Sequence, residues 1–219
     1  GGYILPNNLN NIDFCISPGV AASFEFERKL KKEWNIDSIL IDGTLEKSLE
    51  EKIEKLNEFK FKKKNLSNKN TKNQISLDYL LKSLENKKLI LQMDIEGFEY
   101  EILSNIKEKN LNRFDHIVIE FHDFFRIKKG IFNRKFFKII RKLNKYFTLV
   151  HIHPNNCCEV FEINSIQVPN VFEVTFVNNS LVKYKKIEKI EIPHPEDSPN
   201  LAYKSEILLD EFFYNGKIH

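Results

Sequence analysis

The sequence predicts an α/β protein: a mostly parallel sheet with helices on both faces and an antiparallel strand near its C-terminal end. Three observations carry that prediction. Short apolar runs alternate with segments of helical period from Asn11 to Ile152, an order that needs crossover connections and therefore parallel strands. Several of the apolar runs end on acids or histidines, at Asp42, Asp94 and His122. The run "VFEVTFV" at 171–177 has no helix before it, so it reads as an antiparallel-type strand.

Each element has a local reason. Residues 11–17, "NIDFCIS", read as a short buried strand broken by Pro18 and Gly19. Residues 23–34 read as a helix because Phe26, Leu30 and Trp34 recur every four positions. "SILID" at 38–42 is a second apolar strand closing on an acid, and Leu45, Leu49, Ile53 and Leu56 mark the next helix. "FKFKK" at 59–63 is a charged strand. Ser76 is placed to cap a helix that carries Leu77, Leu80, Leu81 and Leu84 on one face. Then come strand 89–93 and a helix with Phe98, Ile102 and Ile106 in register. Strand 116–121, "HIVIEF", leads to the clearest amphipathic helix, with Phe132, Phe136, Ile139, Ile140 and Leu143 on one side. "FTLVHI" at 147–152 is the following strand. The expectation is one domain over 1–219, with its core over about 11–182 and an irregular tail over 183–219 packed on it.

The bulk numbers fit. A chain of 219 residues can bury one sizeable core. With 42% hydrophobic and 30% charged residues it has an ordinary globular composition. The 34 basic and 31 acidic side chains leave +3, too weak and scattered a bias for a nucleic-acid partner. A Lys-rich segment over 58–73 reads as a solvated strand edge and loop, or as a contact for an anionic substrate. No apolar run has the length of an integral membrane segment, and no signal peptide is visible. Cys15, Cys157 and Cys158 are an odd set that argues for a reducing compartment, so the expected location is cytoplasmic.

In a sheet of this kind ligands bind beyond the carboxyl ends of the strands. The first such end, "SPGVAASFEFE" at 17–27, places Ser17, Gly19, Ser23 and Glu25 between a strand and a helix whose first N–H groups are unpaired. Its plain reading is an ordinary turn with Glu25 and Glu27 favourable in the first helical turn. Asp42 can accept both hydroxyls of a ribose, or simply form the turn before Gly43. Asp94 can orient a substrate hydroxyl, hold a divalent cation or face a charged centre of a cofactor. Glu96 and Glu99 can share that work or favour the start of the next helix. Glu120 and His122 fall on one side of a strand, as do His151 and His153. A histidine here can serve as a general base or as a packing residue, and a hard-cation or mixed oxygen–nitrogen site with Asp94 stays open.

"LILQMDIEGFEYEIL" at 89–103 resembles the signature of the FkbM-type methyltransferases through Asp94, Ile95, Glu96, Gly97 and Glu99. The stretches "SPGVAASFEFE", "ISLDYLL" at 75–81, "HIHPNN" at 151–156 and "VPNVFEVTFV" at 168–177 agree with it. One departure is that Ala21 and Ala22 stand where further glycines are usual. The resemblance implies a Rossmann-like class I methyltransferase fold with a seven-stranded sheet and S-adenosylmethionine as cofactor. It implies methyl transfer to a hydroxyl of a small-molecule or sugar-nucleotide acceptor. By position Gly19 and its neighbours meet the methionine part, and Asp42 the ribose. Asp94, Glu96, His122 and His153 are then the candidate catalytic residues, with acceptor activation by a histidine or by a metal left open. Two other readings stand beside this one: a non-sugar phosphorylated acceptor on the same fold, or a silent module that binds a partner.

Overall fold

The computed structural model describes residues 3–7, 9–20, 24–56, 58–182 and 192–209. Strand β1 (Phe14–Pro18) is buried throughout and leads to α1 (Glu25–Trp34), which stops at Asn35 in the left-handed conformation. β2 (Asp37–Ile41), α2 (Lys47–Leu56) and the short β3 (Lys60–Lys62) follow. A small ladder of β4 (Asn65–Leu66) and β5 (Gln74–Ile75) precedes α3 (Leu77–Leu80). Ser76 caps α3 as expected, its hydroxyl accepting from Tyr79 N–H. Then come β6 (Leu89–Met93), α4 (Glu99–Asn105), α5 (Glu108–Leu111) and β7 (Phe114–Phe121). α6 (Gly130–Asn144) crosses to β8 (Phe147–Pro154). A hairpin of β9 (Val160–Ile163) and β10 (Ile166–Pro169) leads into β11 (Phe172–Asn178).

The seven-stranded sheet has the order β3-β2-β1-β6-β7-β11-β8. The strands from β3 to β7 pair in parallel, and β11 runs antiparallel between β7 and β8. The expected α/β class, mostly parallel with an antiparallel C-terminal strand, is the observed one. Strand order reverses between β1 and β6, so a crevice opens at their carboxyl ends.

The two faces of the sheet differ. One is apolar: Phe14, Ile16, Leu91, Met93, Ile117 and Ile119 pack under α3, α4 and α6. The other carries a buried polar row. Ser17 Oγ sits between Glu27 Oε1 and Gln92 Oε1, and Gln92 Nε2 donates to Tyr3 Oη. One hydroxyl proton cannot serve both oxygens. Burial pushes the Glu27 carboxyl up, the direction that would let the acid donate to Ser17 and Ser17 to Gln92. The N-terminal segment covers this row, with Thr175 Oγ1 donating to Ile4 O. Residues 192–209 cover its far end: His151 pairs with Asp197, Asn200 donates to Glu173, and Asn156 donates to the carbonyls of Leu201 and Lys204. The remainder of the expected tail, 183–191 and 210–219, lies outside the described residues.

Two pairings escaped the sequence reading. β4–β5 is too short to show a period, and β9–β10 turns on Asn164 and Ser165, both at positive φ, where a glycine signal is absent. Of the face expected for α4, Ile102 and Ile106 are buried and Phe98 is not. Phe98 is 63% exposed, and Glu99, Tyr100, Ile102 and Leu103 are the buried residues. Glu96 and Gly97 both have positive φ, and the chain turns there before the helix begins.

Candidate functional site

A cleft of about 570 Å³ lies beyond the carboxyl ends of β1, β2 and β6, lined by Gly19, Asp42, Thr44, Leu66, Asp94 and Glu96 among others. Its volume suits a nucleoside-sized ligand. Gly19 has φ +86°, and a Cβ there would meet the Asp94 carbonyl oxygen at 1.4 Å. The strand ends are tied across this point, with Asp94 N–H donating to Pro18 O and Gly19 N–H to Ile41 O. Glycine is therefore required by both conformation and contact. Asp42 Oδ1 accepts from Thr44 N–H and from Thr44 Oγ1, each at 2.7 Å. A carboxylate can accept more than these two bonds, so the turn does not exhaust it.

At the β6 end of the cleft Asp94, Glu120 and His122 bring one ligand-type atom each within 4.8 Å of the others. The ends of adjacent β6 and β7 supply them: Glu120 is the next-to-last residue of β7, and His122 and Asp94 each follow the last residue of their strand. Burial, then the nearby Glu120 charge, pushes Asp94 up to about 8, and it shares a hydrogen bond with Glu120. Burial also pushes Glu120 up, while Asn155 Nδ2 donates to its Oε1. For His122 burial acts downward, but the Glu99 hydrogen bond and the surrounding carboxylates outweigh it and raise it to about 9. At neutral pH this imidazole carries its proton. Its Nδ1 lies 3.0 Å from Glu99 Oε1, and its Nε2 lies 3.6 Å from both Asp94 and Glu96.

The structure distributes the remaining expected residues unevenly. Glu96 lines the cleft with an 87% exposed side chain. Ser17 is fully buried in the chain with Glu27 and Gln92, pointing into the sheet packing and not among the cleft-lining residues. Glu25 is exposed on the first turn of α1 and also lies off the cleft lining. Ser23 lies outside the described residues. His153 is fully buried, with Nδ1 on Glu173 and Nε2 on Glu206, and β11 separates its strand from β7. It serves the contact with residues 192–209, and the cleft lining does not include it.

Glu99 is the residue whose part the sequence obscured. It reads as a helix-start acid, yet its side chain is 0% exposed and its Oε1 accepts from Ile95 N–H and Gly97 N–H while holding His122. Its place in the Asp94–Glu99 motif is the only sequence signal for that role. Asn155, which steadies Glu120, and Glu27 carry no such signal.

The family profile for the methyltransferase FkbM domain matches residues 26–146, more than half of the chain. No curated protein matches. Among solved structures the chain is similar to a Methanococcus jannaschii fibrillarin pre-rRNA processing protein, at 10% identity and TM-score 0.45 over 81% of this chain and 70% of that one. It is similar to an rRNA methylase from Streptococcus thermophilus, at 10% identity and TM-score 0.42 over 77% and 88%. A predicted O-methyltransferase from Agrobacterium tumefaciens has 10% identity and TM-score 0.41 over 78% and 76%. With the Asp94–Glu99 motif at the rim of a strand-end cleft and the family profile running across it, the chain belongs to the FkbM methyltransferase domain family.

Proposed function

We propose that this protein transfers a methyl group from S-adenosylmethionine to a hydroxyl of a carbohydrate or nucleotide-linked sugar. The observation that carries this reading is the convergence of Gly19, Asp42 and Asp94 on one cleft at the point where strand order reverses. The cofactor, when bound, supplies an electrophilic methyl group on a sulfonium. The residues present fit it. Gly19 leaves the backbone open to close approach, and Asp42 has acceptor capacity for ribose hydroxyls. Glu96 places a carboxylate at the β6 end, complementary to positive charge, and a cation bound there would draw Asp94 toward its ionised form. Asp94, Glu96 and His122 then orient the acceptor for in-line attack. His122 holds a proton on the resting enzyme, so it becomes a base only after that proton is displaced.

Lys64 and Lys69 at the cleft support a phosphate-bearing acceptor, which a sugar nucleotide and a non-sugar phosphorylated metabolite share. Calorimetric titration with S-adenosylmethionine and its demethylated product tests the reading. Both should bind, and Asp42→Ala should weaken binding by roughly tenfold or more, the loss expected for hydrogen bonds to a charged group. Turnover at saturating cofactor should change less. Absence of heat with either ligand sinks the enzyme reading and leaves the silent module.

A further inference from the structure

We propose that Asp94, Glu120 and His122 bind an oxygen-preferring divalent cation at the β6 end of the cleft. Their donor atoms lie within 4.8 Å of one another and come from adjacent strand ends. The 3.6 Å from His122 Nε2 to Asp94 Oδ1 is too long for a hydrogen bond. It is close to the roughly 3–3.5 Å that separates neighbouring ligands around an ion with bonds of about 2.0–2.2 Å. Nε2 is also 3.6 Å from Glu96 Oε2, so Glu96 stands next to the same space.

The supporting shell has the form that metal-ligating histidines require. Glu99 engages Nδ1 and turns Nε2 toward the carboxylates, while two backbone N–H groups hold Glu99 in place. Asn155 does the same for Glu120. Charge balance gives an independent argument. Glu99 is completely buried, and its Oε2 makes no hydrogen bond among the described residues. Four carboxyl groups (Asp94, Glu96, Glu99, Glu120) surround one imidazole. Among the described residues no lysine or arginine forms an ion pair with any of them. Glu99 and Glu120 are buried, Asp94 is half-buried and Glu96 is exposed, and an acidic group with buried members calls for positive charge. Two carboxylates and one imidazole suit Mn²⁺ or Mg²⁺, and three protein donors leave positions open toward the cleft. An acceptor oxygen or water completes the shell there. As a device for holding the acceptor the site rests on the methyl-transfer reading; as a cation site it does not.

The test uses the full chain, stripped with a chelator, titrated with Mn²⁺ alone and followed by electron paramagnetic resonance. One ion per chain should bind. Glu120→Gln should weaken it by roughly tenfold or more, as should Asp94→Asn. The exposed Glu159→Gln should leave it unchanged. Circular dichroism checks that each variant is folded. No bound Mn²⁺ at millimolar concentration overturns the proposal, as does binding that both folded variants retain in full. Mn²⁺ binding without any cofactor binding would keep the cation site and remove the methyl-transfer reading; the reverse result would do the opposite.

Discussion

Gly19→Ala probes the geometry on which the cleft depends. The added Cβ would sit 1.4 Å from the Asp94 carbonyl oxygen, whereas real Cβ atoms stay beyond 3.0 Å. The ends of β1 and β6 must therefore part by about 1.6 Å. The obstacle is backbone, so no side chain can rotate away. That movement breaks the bond from Asp94 N–H to Pro18 O, about 1 kcal/mol net. Holding alanine at positive φ adds roughly 1–2 kcal/mol. Together these give a loss of about 2–3 kcal/mol, or roughly 4–12 °C in Tm for a chain of this size. Gly130→Ala is the matched control, because a Cβ there meets nothing within 4 Å and the position opens α6. It should be neutral or gain about 0.4–1 kcal/mol. Differential scanning calorimetry measures the stability of both variants, and cofactor titration reads the site. Gly19→Ala should lose cofactor affinity as well as stability. A variant with unchanged Tm and unchanged cofactor affinity would refute the argument that the strand ends need glycine at this point.

Three further perturbations separate the remaining parts. Asp94→Asn should reduce turnover by roughly 10²-fold or more with whichever sugar-nucleotide acceptor supports transfer, and near-normal rates would take Asp94 out of the site. Glu27→Gln keeps a hydrogen-bonding group beside Ser17 and should cost less in Tm than Glu27→Leu, which should lose about 1–3 kcal/mol by leaving Ser17 and Gln92 poorly paired; equal effects would contradict the hydrogen-bonded row. Burial acts to lower the His153 pKa, but Glu173, Asp197 and Glu206 more than offset it, so its folded value stands above 6.5. Its contribution is complete below about pH 6.5 and is lost as pH rises through the folded value. Hydrogen exchange over residues 192–209 should therefore quicken with pH beyond the intrinsic rate change, and His153→Gln should flatten that excess; an identical profile in the variant would count against the linkage.

Much of the architecture was legible because it rests on short-range patterns. Leu89–Met93 reads as a buried strand from its apolar run alone, and the observed strand has those bounds. Ser76 reads as a cap from residue type and position. The antiparallel placement of β11 followed from the missing helix before it. Ile102 and Ile106 were legible as the buried face of α4, but the exposure of Phe98 was not, since two consecutive positive-φ residues at Glu96 and Gly97 precede the helix and no hydrophobic period records that.

The sequence by itself determined which strands end in chemistry-bearing residues, because that depends only on where each apolar run stops. It determined that Asp42 and Asp94 stand at such ends and that Glu120 and His122 lie two apart at another. Tertiary structure decided which ends meet. Sheet order put β6 beside both β1 and β7, bringing Asp94 to Gly19 on one side and to Glu120 and His122 on the other. It put β11 between β7 and β8, which left His153 with residues 192–209. It buried Ser17 against Glu27 and Glu99 against His122. The physical reason is that burial and partnership are pair properties set by strand neighbours far apart in the chain. A residue's type and local period carry no record of them.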